Sequence, residues 1–182
     1  MLIVSAHQGY PRWVNSGADF IEVDIRSTSD GTFIVSHDAP RPGAHLVTLD
    51  EVLDAARGRV GLHLDLKEQG NEIELVRFVL ARCPIDKLVV TTEESESIRK
   101  IKRSFPQLRV GLTTRQVDRS DADFVALDQQ YATEDALNAG VPIWVWTVDD
   151  TKLMRRFIAD RRIEGLITNR PDVALKIRTA RS

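Results

Sequence analysis

The sequence predicts an α/β fold: a compact (β/α)8 TIM barrel with a β-hairpin excursion after its second strand. Three observations predict it. Eight short runs rich in β-branched residues alternate with amphipathic stretches, the pattern of parallel α/β architecture. On several of these runs polar side chains occupy one face and apolar ones the other, as strands that line a barrel mouth and carry helices outside would require. No glycine-rich turn follows the first run, which sets aside an open doubly wound sheet. One domain spanning 1–182 is expected, because no linker or low-complexity segment divides the chain. The 182 residues are few for a fold that usually takes about 250, so trimmed connections are expected.

The elements follow in order. Residues 2–6 and 20–25 form the first two strands, and the connection at 9–19 is too short for a proper helix. Asp30-Gly31 between two extended runs signals a hairpin turn, so residues 32–37 form an excursion rather than a ninth barrel strand. Thr48-Leu49-Asp50-Glu51 is a capping box ahead of Val52, Leu53 and Ala56. Residues 62–66 are the third strand; Ile73, Val76, Leu80 and Cys83 then fall on one helical face, where Cys83 reads as packing. After a strand at 88–92, Ile98, Ile101 and Phe105 define a helix that must stop at Pro106. Strands at 109–114 and 124–128 flank a second short connection at 116–123. Strands at 143–148 and 166–168 complete the set. Asp149 or Asp150 caps a helix carrying Leu153, Met154, Phe157 and Ile158, and Asn169-Arg170-Pro171-Asp172 opens the last helix. The thin first connection leaves a barrel flank lightly covered, which a homodimer would close.

Composition excludes several function classes. Lys and Arg number 25 against 27 Asp and Glu, a formal net charge of −2, and no basic block is present, so nucleic acid is not an expected partner. The single cysteine can form neither an internal disulfide nor a cysteine-rich zinc site, in keeping with a reducing compartment. No apolar run approaches the ~18 residues of a membrane span, and the N-terminus leads straight into a strand, so a cytoplasmic location is expected.

In a barrel of this kind chemistry gathers at the carboxyl ends of the strands. Alternation puts Ser5 and His7 on one face of the first strand, Glu22 and Asp24 on one face of the second, and His63, Asp65 and Lys67 on one face of the third. Glu22, Asp24 and Asp65 therefore converge. At ~5 Å and an effective dielectric of about 20, each pair repels by roughly 3 kcal/mol, more than Lys67 alone cancels. A bound cation resolves this, and oxygen-only donors favour Mg2+ or Ca2+, with Mn2+ also suited, over zinc; a buried ion network with Lys67 and nearby arginines is the alternative. His7 and His37, the latter in Ser36-His37-Asp38, flank the cluster with side chains that titrate near neutrality and suit proton transfer. His63 reads as a core residue that links strands, and His45 sits in a Pro/Gly loop without a signal. Trp144 fills the barrel interior, and Trp146, nearer the mouth, either does the same or forms an apolar wall for substrate.

At these residues the sequence resembles the glycerophosphodiester phosphodiesterase family, which shares its barrel with phosphatidylinositol-specific phospholipases C and the venom sphingomyelinase D enzymes. Residues 17–38, from Gly17-Ala18-Asp19 through Glu22-Val23-Asp24 and Asp30-Gly31 to His37-Asp38, resemble the family pattern G-A-D-x-I-E-x-D-V-x-x-T-x-D-G-x-x-V-x-x-H-D. Three shorter stretches resemble it in the right order: Thr48-Leu49-Asp50-Glu51, Leu62-His63-Leu64-Asp65-Leu66-Lys67, and Trp144-Val145-Trp146-Thr147-Val148 with the segment from Gly165 to Asp172. The resemblance implies that Glu22, Asp24 and Asp65 bind a divalent cation, that His7 and His37 supply acid/base catalysis and that Lys67 contacts phosphate. It implies hydrolysis of a small-molecule glycerophosphodiester to an alcohol and glycerol 3-phosphate. The chain departs from the pattern in four places. Gln8 stands where the family's H-R-G has arginine, P-E-N-T and the helix after it are absent, Asp65 stands where most members have Glu, and the insertion after His37-Asp38 has shrunk to residues 39–47. Two other readings stay open: a lyase forming a cyclic phosphate by intramolecular transphosphorylation, and a vestigial metal- or anion-binding barrel.

Overall fold

A computed structural model describes residues 1–41, 43–117 and 120–180. In chain order the elements are β1 (Ile3–Ala6), β2 (Phe20–Ser27), β3 (Phe33–Val35), β4 (Val47–Thr48), α1 (Leu49–Ala56), β5 (Gly61–Leu66), α2 (Glu72–Leu80), β6 (Leu88–Thr92), α3 (Ser95–Ser104), β7 (Arg109–Thr114), β8 (Phe124–Asp128), α4 (Glu134–Leu137), β9 (Ile143–Trp146), α5 (Thr151–Ala159), β10 (Ile163–Thr168) and α6 (Pro171–Thr179). Eight parallel strands, β1, β2 and β5 to β10, close into a barrel when β1 pairs with both β10 and β2. No helix among the described residues is long and apolar enough to cross a membrane.

The hairpin exists because β1 is short. Ser5 and Ala6 pair with Phe20 and Ile21, so the far half of β2 projects beyond β1 with a free edge, and β3 fills that edge antiparallel, Ile25 opposite Val35 and Ser27 opposite Phe33. Gly31 turns the chain with a φ of +85°, a conformation that favours glycine. The sequence reading missed one strand here: β4 pairs with β3 and delivers Thr48 to the start of α1. There the capping box forms in full, Thr48 Oγ1 accepting from the Glu51 amide and Glu51 accepting from the Thr48 amide at 2.7 Å.

The first connection has no helix, as the spacing predicts, yet its flank is not bare. Val14 and Ala18 are buried, and Tyr10 and Trp13 pack on the same core. The second short connection, 116–123, also carries no helix among its described residues; residues 118 and 119 lie outside them. One helical face needs correction. The buried stripe of α2 is Glu72, Leu75, Val76 and Val79, while Ile73 and Leu80 lie half-buried and Cys83 falls beyond the helix end. The stripe is rotated because the Glu72 carboxylate turns inward, accepting from the Ser97 hydroxyl of α3 at 2.6 Å and from the Gly70 amide at 3.0 Å.

The interior of the barrel is filled by aromatic rings seated over glycines. A Cβ at Gly61 would meet Phe20 at 2.6 Å, one at Gly111 would meet Phe124 at 2.4 Å and one at Gly165 would meet Trp144 at 2.5 Å. The rings touch one another, with centroids 4.6 Å apart for Phe124 and Trp144 and 6.1 Å for Phe20 and Trp144. Arg109 lies over Phe124 and Trp144 and bonds Glu164. Beyond this aromatic layer, polar side chains line a cavity toward the carboxyl ends of the strands.

Candidate active site

That cavity, of about 390 Å3, is lined by His7, Glu22, Asp24, His37, Asp65, Lys67 and Trp146, so the residues that sequence reasoning singled out meet in one place. β2 and β5 pair in parallel with Glu22 beside His63 and Asp24 beside Asp65, so their inward faces stack carboxylate next to carboxylate. One oxygen from each of Glu22, Asp24 and Asp65 lies within 4.8 Å of the other two. These residues are only 4, 4 and 8% exposed. Three buried carboxylates face one ammonium, that of Lys67, at 2.9 Å from Asp24 and 2.5 Å from Asp65. Burial, and then the charges of Asp24 and Asp65, push the Glu22 carboxyl well above the usual range, against the opposing pull of the Gln8 amide and Lys67. Burial alone would lower the Lys67 ammonium, but Asp65 and Asp24 outweigh it and raise it. This surplus of negative charge and the all-oxygen donor set fit a hard divalent cation such as Mg2+ or Ca2+, which would be held by the three carboxylates.

Gln8 lies at the position where the sequence departs from the family pattern. Its φ is +45°, its amide donates to Glu22 at 2.8 Å, and its side-chain amide reaches Asp24 at 3.4 Å. Gly9 follows because the backbone passes close to β2, where a Cβ would meet Ile21 at 2.7 Å.

Both flanking histidines are oriented through Nδ1. His7 lies 2.9 Å from Asn169 Oδ1, and Asn169 Nδ2 in turn donates to Asp149 at 2.7 Å, so His7 donates from Nδ1 and its Nε2 stays outside this chain of hydrogen bonds. Burial would raise Asp149, but the hydrogen bonds from Asn169 and Thr168 hold it below its usual range. His37 is presented by the hairpin. The Ser36 amide donates to the Asp24 carbonyl at 3.0 Å, and Arg26 Nε donates to the carbonyl of His37 itself. Its Nδ1 lies 2.9 Å from Asp38, a carboxylate held low first by that hydrogen bond. His7 and His37 thus both leave Nε2 without a protein partner among the described residues.

Below the carboxylates, His63 is a buried link, as expected. Thr91 donates its hydroxyl proton to Asp65 at 2.5 Å and therefore accepts from His63 Nε2 at 2.9 Å, which leaves His63 Nδ1 to accept from Ser5 at 3.0 Å. Burial, then the charge of His7, lowers this imidazole to about 3, so it is neutral. Trp144 is fully buried beneath it; Trp146 lines the cavity with its indole N–H bonded to the Ala126 carbonyl at 2.9 Å.

Sequence reasoning missed Thr91 and Thr113, which both donate to Asp65, the Asn169–Asp149 support behind His7, and Glu93 and Arg115 at the cavity rim. The alternation that revealed the first three strands reveals Thr91 and Thr113 as well, when it is carried on to β6 and β7.

Comparison with known proteins gives a consistent picture. Residues 9–80 match the model of the glycerophosphoryl diester phosphodiesterase family. No curated protein matches the chain by sequence. Among solved structures, the fold is similar to that of a glycerophosphodiester phosphodiesterase from Parabacteroides distasonis ATCC 8503, with 21% identity and a TM-score of 0.83 over 99% of this chain and 98% of that one. It is similar to a glycerophosphodiester phosphodiesterase from Agrobacterium tumefaciens str. C58, with 19% identity and a TM-score of 0.74 over 98% of this chain and 100% of that one. A phosphodiesterase of Oleispira antarctica, in complex with the product sn-glycerol-3-phosphate, matches with 16% identity and a TM-score of 0.82 over 97% of this chain and 96% of that one. At these identities the likeness to the solved structures is one of fold.

Proposed function

We propose that the chain is a divalent-metal-dependent phosphodiesterase that hydrolyses glycerophosphodiesters to an alcohol and glycerol 3-phosphate by two-histidine acid/base catalysis. One observation carries this reading: two imidazoles with open Nε2 atoms flank a buried three-carboxylate cluster in a single cavity. The match of residues 9–80 to the phosphodiesterase family supports it, as does the fold shared with a phosphodiesterase that holds sn-glycerol-3-phosphate.

Glu22, Asp24 and Asp65 would hold a Mg2+ or Ca2+ ion, which would supply charge neutralisation for the phosphate oxygens. His7, with its proton fixed on Nδ1 by Asn169, offers its Nε2 lone pair as the base that takes a proton from the attacking hydroxyl. His37, with Asp38 against Nδ1, is suited to carry a proton on Nε2 and deliver it to the leaving oxygen. Lys67 balances Asp24 and Asp65 here and turns its ammonium to a phosphate oxygen once those carboxylates are otherwise neutralised. Trp146 walls the cavity with an apolar ring.

The test is hydrolysis of glycerophosphocholine followed by phosphorus NMR. Glycerol 3-phosphate is the expected product, its formation is abolished by EDTA and restored by Mg2+ or Ca2+, and His7→Ala and His37→Ala each reduce kcat by 100-fold or more. Metal-independent turnover, or full activity of His37→Ala, contradicts the mechanism; accumulation of a cyclic phosphate instead assigns the chain to the lyase route.

A further inference from the structure

Asp65 is held by two hydroxyl groups, and both act on the same oxygen. Thr91 Oγ1 donates to Asp65 Oδ1 at 2.5 Å, and Thr113 Oγ1 donates to it at 3.2 Å. The register explains how two strands reach one atom. Thr91 stands beside Asp65 where β5 pairs with β6, and Gly111 of β7 stands beside Thr91. Gly111 has no side chain and is covered by the Phe124 ring; Thr113, two residues further on and so on the same face, reaches Asp65 from above it. Neither hydroxyl spends its proton elsewhere. Thr91 accepts from His63 Nε2 at 2.9 Å, which leaves its own proton for Asp65, and Thr113 has no other side-chain hydrogen bond among the described residues.

This clamp has two physical consequences. The terminal torsion of an aspartate is broad, so its rotamer alone does not set the carboxylate plane, and two donors on one oxygen do. An ionised carboxylate oxygen has about two lone-pair directions, and the two hydroxyls use both of those on Oδ1. Asp65 therefore presents Oδ2 to the cluster, the oxygen that shares the Lys67 ammonium with Asp24 Oδ1, at 2.5 and 2.9 Å respectively. Glu22 is likewise held through one oxygen, Oε2, by the Gln8 amide at 2.8 Å. Carboxylates that each offer a single oxygen suit a small octahedral cation, whereas Ca2+ takes more oxygens and often gathers them by binding a carboxylate through both.

We propose that Thr91 and Thr113 are positioning residues that hold Asp65 to one-oxygen coordination and so bias the site toward Mg2+ and Mn2+ over Ca2+. They act through Asp65 alone. This selectivity rests on the reading of Glu22, Asp24 and Asp65 as the cation site.

The test is competition binding on the full chain without substrate, in which bound Mn2+ is followed by electron paramagnetic resonance while Mg2+ or Ca2+ displaces it. Thr113→Val keeps the branched shape and removes the donor; Thr113→Ser restores the donor. Thr113→Val is expected to raise the Ca2+-over-Mg2+ affinity ratio about tenfold, chiefly by weakening Mg2+, and Thr113→Ser to keep the wild-type ratio. Thr91→Val, which also takes the acceptor from His63, is expected to shift the ratio in the same direction, and the Thr113 pair decides the matter where that variant does not fold. Each readout is a ratio within one protein, so partial loss of folded material does not mimic it. A ratio that Thr113→Val leaves unchanged, or that Thr113→Ser shifts as far as Thr113→Val does, overturns the clamp and leaves the cation site standing. If the wild type binds none of the three cations, or binds them equally well after Asp65→Asn, the cation reading fails and the selectivity with it.

Discussion

His63 shows how a residue beneath the reacting groups shapes the behaviour of the site. It is enclosed by Ser5, Thr91 and the edge of Trp144, with ring centroids 5.5 Å apart for the last, and all of its hydrogen-bonding capacity is spent on two hydroxyls. Its ordinary value of 6.5 falls to about 3 in the fold, chiefly through burial. The unfolded chain takes up a proton below pH 6.5 and the folded chain does not, so the stability tied to this group is complete above pH 6.5 and is lost as the pH falls toward 3. At about 1.4 kcal/mol per pH unit the loss is on the order of 5 kcal/mol at the acid end. Urea unfolding of the wild type and His63→Asn between pH 7.5 and 4 tests this: the wild-type curve falls steeply below pH 6.5 and that of His63→Asn falls less. Parallel curves contradict it. The inward direction of His63 was legible from alternation with Leu62 and Leu64. Its neutrality was not, because that depends on Thr91 giving its proton to Asp65, a contact across strands.

At the scale of elements, most boundaries were legible because β-branched runs and caps are local signals. The strands at 88–92, 109–114 and 124–128 form as the pattern predicts, and Asp150, one of the two candidates, caps α5 through the amides of Lys152 and Leu153. What local pattern could not show is how strands share space. Gly61, Gly111 and Gly165 look like weak strand residues, yet each is a seat for a ring from a neighbouring strand. Gly165→Ala is therefore expected to destabilise the protein by about 1–3 kcal/mol through overpacking, since Trp144 is fully buried and is held by Phe20, Phe124 and His63. Chemical denaturation measures it, and a change under about 0.5 kcal/mol would contradict the packing described. β4 was missed for a related reason: its two residues are a strand only because β3 lies beside them.

At the scale of the molecule, the site is assembled by closure. His7 and Asn169 come from the turns directly after β1 and β10, the two ends of the chain's path round the barrel, and meet because those strands pair, with Ala6 beside Thr168. The carboxylates come from β2 and β5, and His37 from a hairpin that grows where β1 stops short. The brevity of the chain thus removes a helix from the first connection and shortens the loop after His37 without disturbing the inward faces that carry the cluster. These faces were legible in the sequence on the first three barrel strands, where acidic and basic residues alternate with leucine, isoleucine and valine. Glu93 and Arg115 were not, since a single charge just past a strand end reads the same as a solvated loop residue.

The central claim, a cation-assisted phosphodiesterase centre between two histidines, is tested most directly by a crystal structure grown with Mn2+ and glycerol 3-phosphate, in which the metal is located by its anomalous scattering. The expected result is one ion bound by Glu22, Asp24 and Asp65, with the phosphate within hydrogen-bonding distance of His7 Nε2, His37 Nε2 and Lys67. An ion bound elsewhere, or a phosphate out of reach of both histidines, would contradict the claim.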